Sequence, residues 1–171
     1  MTPLGCVTGR FQPVHAQHLE LFEIVMSECE HLVVAVTNPD DASRHEEAAS
    51  AHRHTAAANP FTYFERVRLL EAVVGDRGRV TIVPFDLTRV ELWPQYVPLS
   101  ARQYVRAYSG WERQKARRLE DAGYAVTLLD GDPEGRLSAS DIRAAMDAGD
   151  GWRPLVPAAT APLLAELLGR S

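Results

Sequence analysis

Cysteine is scarce in this 171-residue chain, because Cys6 and Cys29 are the only two. Two cysteines are too few for a disulfide scaffold, and each lies in an apolar stretch, so we expect reduced thiols in a cytoplasmic protein. Long hydrophobic runs are absent too, since none approaches the roughly 18 residues of a membrane helix. The N-terminus lacks the charged start and apolar middle of a signal peptide. We therefore expect neither export nor a membrane partner.

Lysine is almost absent, because Lys115 is the only one among 18 lysine and arginine residues. Together with 23 acidic residues, these give a net charge of −5. That charge excludes a general basic field for nucleic acid, but not a local basic pocket for a small anion. The preference for arginine fits either a GC-rich genome or a bidentate grip on phosphates. Composition does not distinguish the two.

Short apolar runs alternate regularly with longer amphipathic stretches along the chain. The apolar runs predict strands at 4–8, 32–37, 80–85, 103–108 and 124–129. The amphipathic stretches predict helices at 15–29, 62–74, 112–122, 140–148 and 162–168, with a short or kinked helix around Trp93. This alternation predicts an α/β fold, a Rossmann-like doubly wound parallel sheet in one domain over residues 1–171.

Two segments depart from this alternation. Residues 38–58 form a long polar stretch, and loops of such length inside a compact domain are usually functional or disordered. Residues 150–171 follow the last predicted strand-helix pair, and we expect this C-terminal segment to pack on the same domain.

The turn after the first strand carries the first cluster of chemically active residues. Gly9 lets the backbone approach a ligand closely, and Arg10 follows it. His15 and His18 are three residues apart at a helix start, so both imidazoles project over the helix N-terminus, where phosphate is attracted. A polyphosphate site, an exposed histidine pair with capping duties and a zinc pair are all compatible with this pattern. The zinc alternative lacks a third ligand at a suitable spacing.

A second candidate anion site lies near the C-terminus. Ser138 and Ser140 stand at a predicted helix start, where their hydroxyls can cap the helix or donate to phosphate oxygens. Arg143 is three residues past Ser140 and can reach the same ligand. An ordinary N-cap beside a solvated arginine is the alternative interpretation.

Together these segments resemble one family. GRFQPVHAQH (9–18) is similar to the GRFQPxHxGH signature of the HxGH nucleotidylyltransferases, and SASDIR (138–143) is similar to their SxTxxR signature. NPFTYFER (59–66) matches the NPFTxxER stretch of archaeal-type nicotinamide-nucleotide adenylyltransferases. The resemblance runs in order from about residue 5 to residue 164.

The resemblance implies transfer of a nucleoside monophosphate from a nucleoside triphosphate to an acceptor phosphate, with release of pyrophosphate. It implies Mg²⁺ as cofactor, held mainly by the triphosphate and water, with no metal site of the protein itself. The implied catalytic residues are His15, His18 and Arg143. The implied nucleotide- and phosphate-binding residues are Gly9, Arg10, Phe11, Gln17, Ser109, Ser138 and Ser140. Arg44 and Arg53 are candidates for the acceptor-binding arginine, and Trp93 either stacks on a nicotinamide ring or is a partly buried aromatic.

Four differences from the family pattern concern the substrates. Gln17 replaces the glycine of HxGH, and Ser140 replaces a threonine. Residues 109–112 replace an asparagine-containing loop near the nucleotide, and the 38–58 segment is about a dozen residues longer than its counterpart.

Three interpretations of function follow. The first is ATP with nicotinamide or nicotinate mononucleotide. The alternative is CTP with a small phosphonate such as phosphonoformate, and the third is a non-catalytic nucleotide sensor. Family members are often oligomers, so a homo-oligomer is compatible with the resemblance.

Overall fold

The computed structural model describes residues 1–46, 48, 51–74, 78–149 and 151–169. Five parallel strands form one sheet: β1 (Thr2–Gly9), β2 (Cys29–Thr37), β3 (Val80–Phe85), β4 (Arg102–Ala107) and β5 (Val126–Asp130). Their order is β3-β2-β1-β4-β5. The order reverses between β1 and β4, and ligands of such sheets bind beyond the strand ends at that point. The predicted Rossmann-like doubly wound fold is confirmed.

Six α-helices occur among the described residues, and they begin and end within a few residues of the predicted positions. They are α1 (Ala16–Glu28), α2 (Tyr63–Val74), α3 (Trp93–Tyr96), α4 (Gly110–Asp121), α5 (Ala139–Asp147) and α6 (Ala161–Leu168). In the part of the chain that the structure describes, no helix combines the length and apolarity of a membrane span.

The sheet separates two apolar cores, as expected for strands that send successive side chains to opposite faces. Val7 of β1 packs with Phe22, Ile142 and other residues of α1, α2, α5 and α6 on one face. Cys6 points to the other face, where α3 and α4 cover the sheet and Leu119 is fully buried. Covering both faces leaves the carboxyl edge of the sheet as the place where polar groups meet.

The two segments that interrupt the alternation are only partly described. Within 38–58, residues 47, 49 and 50 lie outside the described residues. A 3-10 turn at Asp41–Ser43 begins this segment. Within 150–171, residues 150, 170 and 171 lie outside the described residues. Leu164 and Leu167 of α6 are buried in the first core.

Candidate active site

A pocket of about 410 Å³ opens at the carboxyl edge of the sheet, beside β1 and β4. It is lined by most of the predicted site residues: Gly9, Arg10, Phe11, His15, Gln17, His18, Arg53, Ser109, Ser138 and Ser140. The first turn and the start of α5, 120 or more residues apart in sequence, therefore meet at one cavity.

The turn between β1 and α1 is shaped by packing as much as by ligand access. Phe11 is buried, has a positive φ of 52°, and meets His18 edge-on with the ring centroids 4.8 Å apart. A Cβ at Gly9 would lie 2.9 Å from the Phe11 ring, so only glycine fits there. Gln12 is also buried, and its side-chain amide exchanges hydrogen bonds of 3.0 and 2.9 Å with the main chain of Phe61. Sequence reasoning missed this role of Gln12.

The two histidines form a stacked pair whose ring centroids are 3.6 Å apart. The main-chain N–H of His15 donates to Nδ1 of His18 at 3.1 Å. Nδ1 of His18 is therefore an acceptor, and a neutral ring carries its proton on Nε2. Nδ1 of His15 is buried and has no hydrogen-bond partner among the described residues.

Both imidazoles are neutral at pH 7 in the protein without ligand. Burial, followed by the charge of Arg136, lowers the pKa of His15 to about 4. Burial also places the pKa of His18 well below its usual value, with further lowering by His15 and by Lys115 and other nearby cations. A phosphate arriving here would favour the charged forms, because an anion within a few ångströms stabilises imidazolium.

Several arginine side chains lie close together beside the histidine pair. Arg10 donates to the carbonyls of Ala58 at 3.1 Å and Arg53 at 3.4 Å. Burial, followed by the charges of Arg53, Arg143 and Arg66, lowers the pKa of Arg10 to about 9. Cations held together in this way suit an anionic ligand.

Arg66 connects two strand ends at the carboxyl edge of the sheet but does not line the pocket. Its Nη1 donates to the carbonyls of Arg10 at 2.9 Å and Thr37 at 2.7 Å, and Nη2 donates to Asn38 at 2.8 Å. It therefore joins the carboxyl ends of β1 and β2. The sequence signal was its place in the NPFTYFER stretch, but the residues alone gave no reason to bury this arginine.

The start of α5 combines a helix cap with a surface that lines the pocket. Ser138 accepts from the main-chain N–H of Ser140 at 3.2 Å, which is the N-cap geometry. Arg143 is buried, donates to Oγ of Ser140 at 3.1 Å and to the carbonyl of Gln12 at 2.9 Å, and does not itself line the pocket. Of its five donors, one holds the first turn against α5 through Gln12, and another bonds Ser140 within α5.

Gln17 joins α1 to the loop before α5. Its Nε2 donates to the carbonyl of Gly135 at 2.7 Å, and its Oε1 accepts from the N–H of Leu137 at 2.7 Å. Between these two contacts, Arg136 donates to Glu112 at 2.8 Å and lies over the Tyr108 ring. The residue that replaces the motif glycine thus closes one wall of the pocket.

Ser109 lies at the pocket wall as the N-cap of α4. Its main-chain N–H donates to Oε2 of Glu112 at 2.9 Å, and its hydroxyl contacts the same oxygen. Ser109 also accepts from the N–H of Trp111 at 3.3 Å. These contacts assign Ser109 to the helix end.

The far end of the pocket is built by Arg53, a predicted candidate for acceptor binding, and by Trp111 and Lys115, which were not predicted as site residues. The Arg53 guanidinium lies 3.8 Å from the centre of the Trp111 ring, and Nζ of Lys115 lies 5.2 Å from the same centre. A second, smaller cavity of about 20 Å³ shares Arg10, Arg53 and Trp111 with the main pocket and continues to Thr88. We call this region the acceptor end, for the role that we propose for it. The sequence signals for it were the single lysine and a tryptophan within the 109–112 segment.

Two of the predicted acceptor residues lie elsewhere. Arg44 forms an ion pair with Asp41 and lines neither cavity. Trp93 is 1% exposed, its Nε1 donates to the carbonyl of Asp86 at 2.7 Å, and its ring stacks on Phe85. The stacking role expected for Trp93 is therefore corrected, because the ring packs in the second core and has no face open to a ligand.

The described residues do not form a metal cage. They contain no group of three or more histidine, cysteine, aspartate or glutamate side chains placed to hold an ion. Glu112 is the one carboxylate among the described residues that line the main pocket, and it is engaged by Ser109 and Arg136.

Comparison with known proteins shows similarity along nearly the whole chain. The cytidylyltransferase-like family matches residues 6–145. The phosphonoformate cytidylyltransferase of Streptomyces viridochromogenes is 32% identical over 166 residues, covering 95% of this chain and 90% of that protein. The nicotinamide-nucleotide adenylyltransferase of Haloarcula marismortui is 30% identical over 167 residues, covering 96% and 82%. That of Pyrococcus abyssi is 28% identical over 169 residues, covering 96% and 84%.

Solved structures share the fold. A bifunctional NMN adenylyltransferase/ADP ribose pyrophosphatase from Francisella tularensis has a TM-score of 0.66 at 14% identity, over 91% of this chain and 45% of that chain. The same enzyme complexed with AMP and a manganese ion has a TM-score of 0.64 at 15% identity, over 91% and 44%. The chain thus spans less than half the length of either structure.

Proposed function

The chain belongs to the cytidylyltransferase-like family and is a nucleotidyltransferase, and from that premise we propose that it transfers a cytidylyl group from CTP to a small phosphonate acid such as phosphonoformate. The observation that carries this choice is the acceptor end, where the Arg53 guanidinium lies 3.8 Å from the centre of the Trp111 ring and where Arg10 and Lys115 line the same pocket. Three cations brought together in this way suit a small acceptor that carries more than one negative charge.

The proposed reaction is a displacement at phosphorus. An oxygen of the acceptor's phosphonate forms a bond to the α-phosphorus of the triphosphate. The bond from that phosphorus to the bridging oxygen of the β-phosphate breaks, and pyrophosphate leaves with the electron pair. The attacking oxygen is already ionised, so no general base is needed. Such transfers need alignment and charge stabilisation more than a protein nucleophile.

The histidine pair would supply the charge stabilisation. With Nδ1 of His18 occupied by the His15 main chain, Nε2–H of His18 is the donor left for the α-phosphate or the bridging oxygen. His15 lines the same pocket from the start of α1. Donors fixed before the substrate arrives cost no reorganisation when charge develops, which is why such groups stabilise transition states strongly.

The β- and γ-phosphates would lie against the start of α5. Ser138 and Ser140 line the pocket there, and Arg143 positions Ser140 through the 3.1 Å hydrogen bond. Mg²⁺ would enter on the triphosphate, held by its oxygens and water, since such ions are commonly bound through substrate phosphates. Binding of Mg²⁺ through the triphosphate is consistent with the contacts of Glu112, because its carboxylate already accepts hydrogen bonds from Ser109 and Arg136.

ATP with nicotinamide mononucleotide is the second candidate. It is favoured by relatives named nicotinamide-nucleotide adenylyltransferase that are 28% to 30% identical over nearly the whole chain. Against it stands Trp93, because a ring buried on Phe85 cannot receive the nicotinamide.

The test is a pyrophosphate-release assay with each of the four nucleoside triphosphates, Mg²⁺ and a panel of acceptors that includes phosphonoformate and nicotinamide mononucleotide. We expect release with CTP and phosphonoformate. Release only with ATP and the mononucleotide would select the second candidate. Triphosphate binding without release from any pair would contradict both and favour a nucleotide sensor.

A further inference from the structure

Lys115 points into the pocket from α4. The residue is partly exposed, yet its Nζ reaches the carboxyl end of β1 and donates to the carbonyl of Thr8 at 3.2 Å. An ammonium has three donors and no acceptor. The bond to Thr8 uses one of them, and Lys115 lines the main pocket with the others available to a ligand.

The surroundings of Lys115 are arranged for an anion. Its ammonium and the Arg53 guanidinium approach the same indole, that of Trp111, at 5.2 and 3.8 Å from the ring centre. Thr8 and Cys6 lie two apart on β1 and face α4. Oγ1 of Thr8 is buried and has no hydrogen-bond partner among the described residues. A buried hydroxyl left without a partner is costly unless a ligand or water satisfies it.

We propose that Lys115 binds the carboxylate of the acceptor and thereby selects acids that carry a second anionic group beside the phosphoryl group. The proposal rests on the proposed function and extends it from a reaction to a substrate class. Arg10 and Arg53 would hold the phosphonate, and Lys115 would hold the group that a simple alkyl phosphonate lacks.

Lysine suits this task in a chain that otherwise uses arginine. Its ammonium is a compact charge on a flexible stem, whereas a guanidinium is a planar fork that needs more room. Lys115 is the one lysine among 18 cationic residues. Genome bias toward arginine does not explain why the exception faces this pocket.

The site also has a predictable pH dependence. Burial, followed by the charge of Arg53, lowers the pKa of Lys115 to about 8, while Glu112 and Cys6 act in the opposite direction. His18 faces the same region but is neutral, because its own pKa is far below 7. Lys115 is therefore charged below about pH 8 and neutral above it. The acceptor KM should rise as the pH passes 8, and bound carboxylate should raise the pKa of Lys115.

The first test uses Lys115 as the single ε-amine of this chain. Wild-type protein is treated with acetic anhydride at pH 7.5, and acetylation of Lys115 is measured by mass spectrometry against the N-terminal α-amine. We expect phosphonoformate, with CTP present, to slow acetylation at least fivefold, and methylphosphonate to slow it less than twofold. Equal protection by both phosphonates, protection by CTP alone, or no protection would each overturn the proposal.

The second test measures acceptor selectivity. Lys115→Met should raise the KM for phosphonoformate at least tenfold and abolish the rise of KM above pH 8, with little change in kcat. Arg117→Met is the matched control, because Arg117 is an exposed cation on the same helix, and it should match wild type. A pH profile unchanged in Lys115→Met would overturn the proposal, since a purely structural lysine would not set it.

The two tests separate this inference from the proposed function. Protection of Lys115 reports binding of the phosphonate, and binding can occur without pyrophosphate release. Protection without release would support the inference about Lys115 and refute the proposed function. Pyrophosphate release from CTP and phosphonoformate with Lys115 unprotected would refute the inference alone.

Discussion

The two ends of the pocket are built in different ways. At the phosphate end, the groups that would meet the triphosphate are held by near neighbours: His18 by the main chain of His15, and Ser138 and Ser140 by the first turn of α5. At the acceptor end, Arg53 reaches Trp111 from a segment almost 60 residues away, and Lys115 reaches back to β1. Each of the two motifs at the phosphate end is local in sequence, although the fold brings the two motifs together, whereas the individual contacts at the acceptor end already join distant segments.

This difference has a functional consequence. Phosphate recognition uses helix N-termini and nearby donors, which a short motif can provide. Acceptor recognition depends on side chains from separate elements that meet only after folding. Reaction chemistry and acceptor choice can therefore change independently within one fold.

The largest expected effect is at the phosphate end. His18→Ala should lower kcat by a hundredfold or more, about 3 kcal/mol of transition-state stabilisation, because it removes the fixed Nε2–H donor. His31→Ala is the control, since His31 lies on β2 and bonds Thr81 outside the pocket. Turnover of His18→Ala within threefold of wild type would show that the phosphate end does not carry the chemistry.

Low pH should destabilise the folded protein through His15, which lies at the phosphate end. The folded pKa of His15 is about 4, below its usual 6.5, so the unfolded chain binds the proton first as the pH falls. Stability should therefore be intact above about pH 6.5 and decline toward pH 4, by about 2 kcal/mol at pH 5 from His15 alone. Urea unfolding of wild type and His15→Gln at pH 7 and pH 5 measures this. Identical pH dependence of the two proteins would contradict a buried neutral His15.

Arg53 and Arg44 offer the sharpest test of the acceptor end, because the sequence did not distinguish them and the structure does. Arg53→Ala should raise the acceptor KM about tenfold, the loss of one charge-assisted hydrogen bond, and leave the triphosphate KM nearly unchanged. Arg44→Ala should match wild type, since Arg44 is paired with Asp41 and lines neither cavity. A larger effect of Arg44→Ala would place the acceptor elsewhere.

Gln17 connects the wall of the pocket to α1, and its loss should have the smallest effect. Gln17→Ala removes two hydrogen bonds to the Gly135–Leu137 loop. We expect a loss of about 1 kcal/mol in the free energy of unfolding, because each hydrogen bond contributes modestly at a half-buried site. The triphosphate KM should rise a few-fold while the acceptor KM is unchanged. Gln114→Ala is the control, because Gln114 is exposed on α4. Equal melting temperatures for the two variants would show that the hydrogen bonds of Gln17 do not stabilise the fold.

The sequence predicted the strands, helices and phosphate end because each depends on local pattern. Apolar runs mark the strands, and His15, His18, Ser138 and Ser140 stand at helix starts that the pattern places within a residue or two. Trp93 was left with two interpretations because a tryptophan near prolines has the same pattern whether it packs on Phe85 or on a ligand. Lys115 and Gln12 were missed because their partners, Thr8 and Phe61, are brought to them only by the sheet order.

The most direct test of the central claim is a competition followed by ³¹P NMR. CTP and ATP are supplied in equal amounts with Mg²⁺, phosphonoformate and nicotinamide mononucleotide, and the new phosphoanhydride signals are identified. The account predicts a cytidylyl phosphonate as the main product, together with pyrophosphate. A dinucleotide formed from ATP and the mononucleotide as the main product would contradict it.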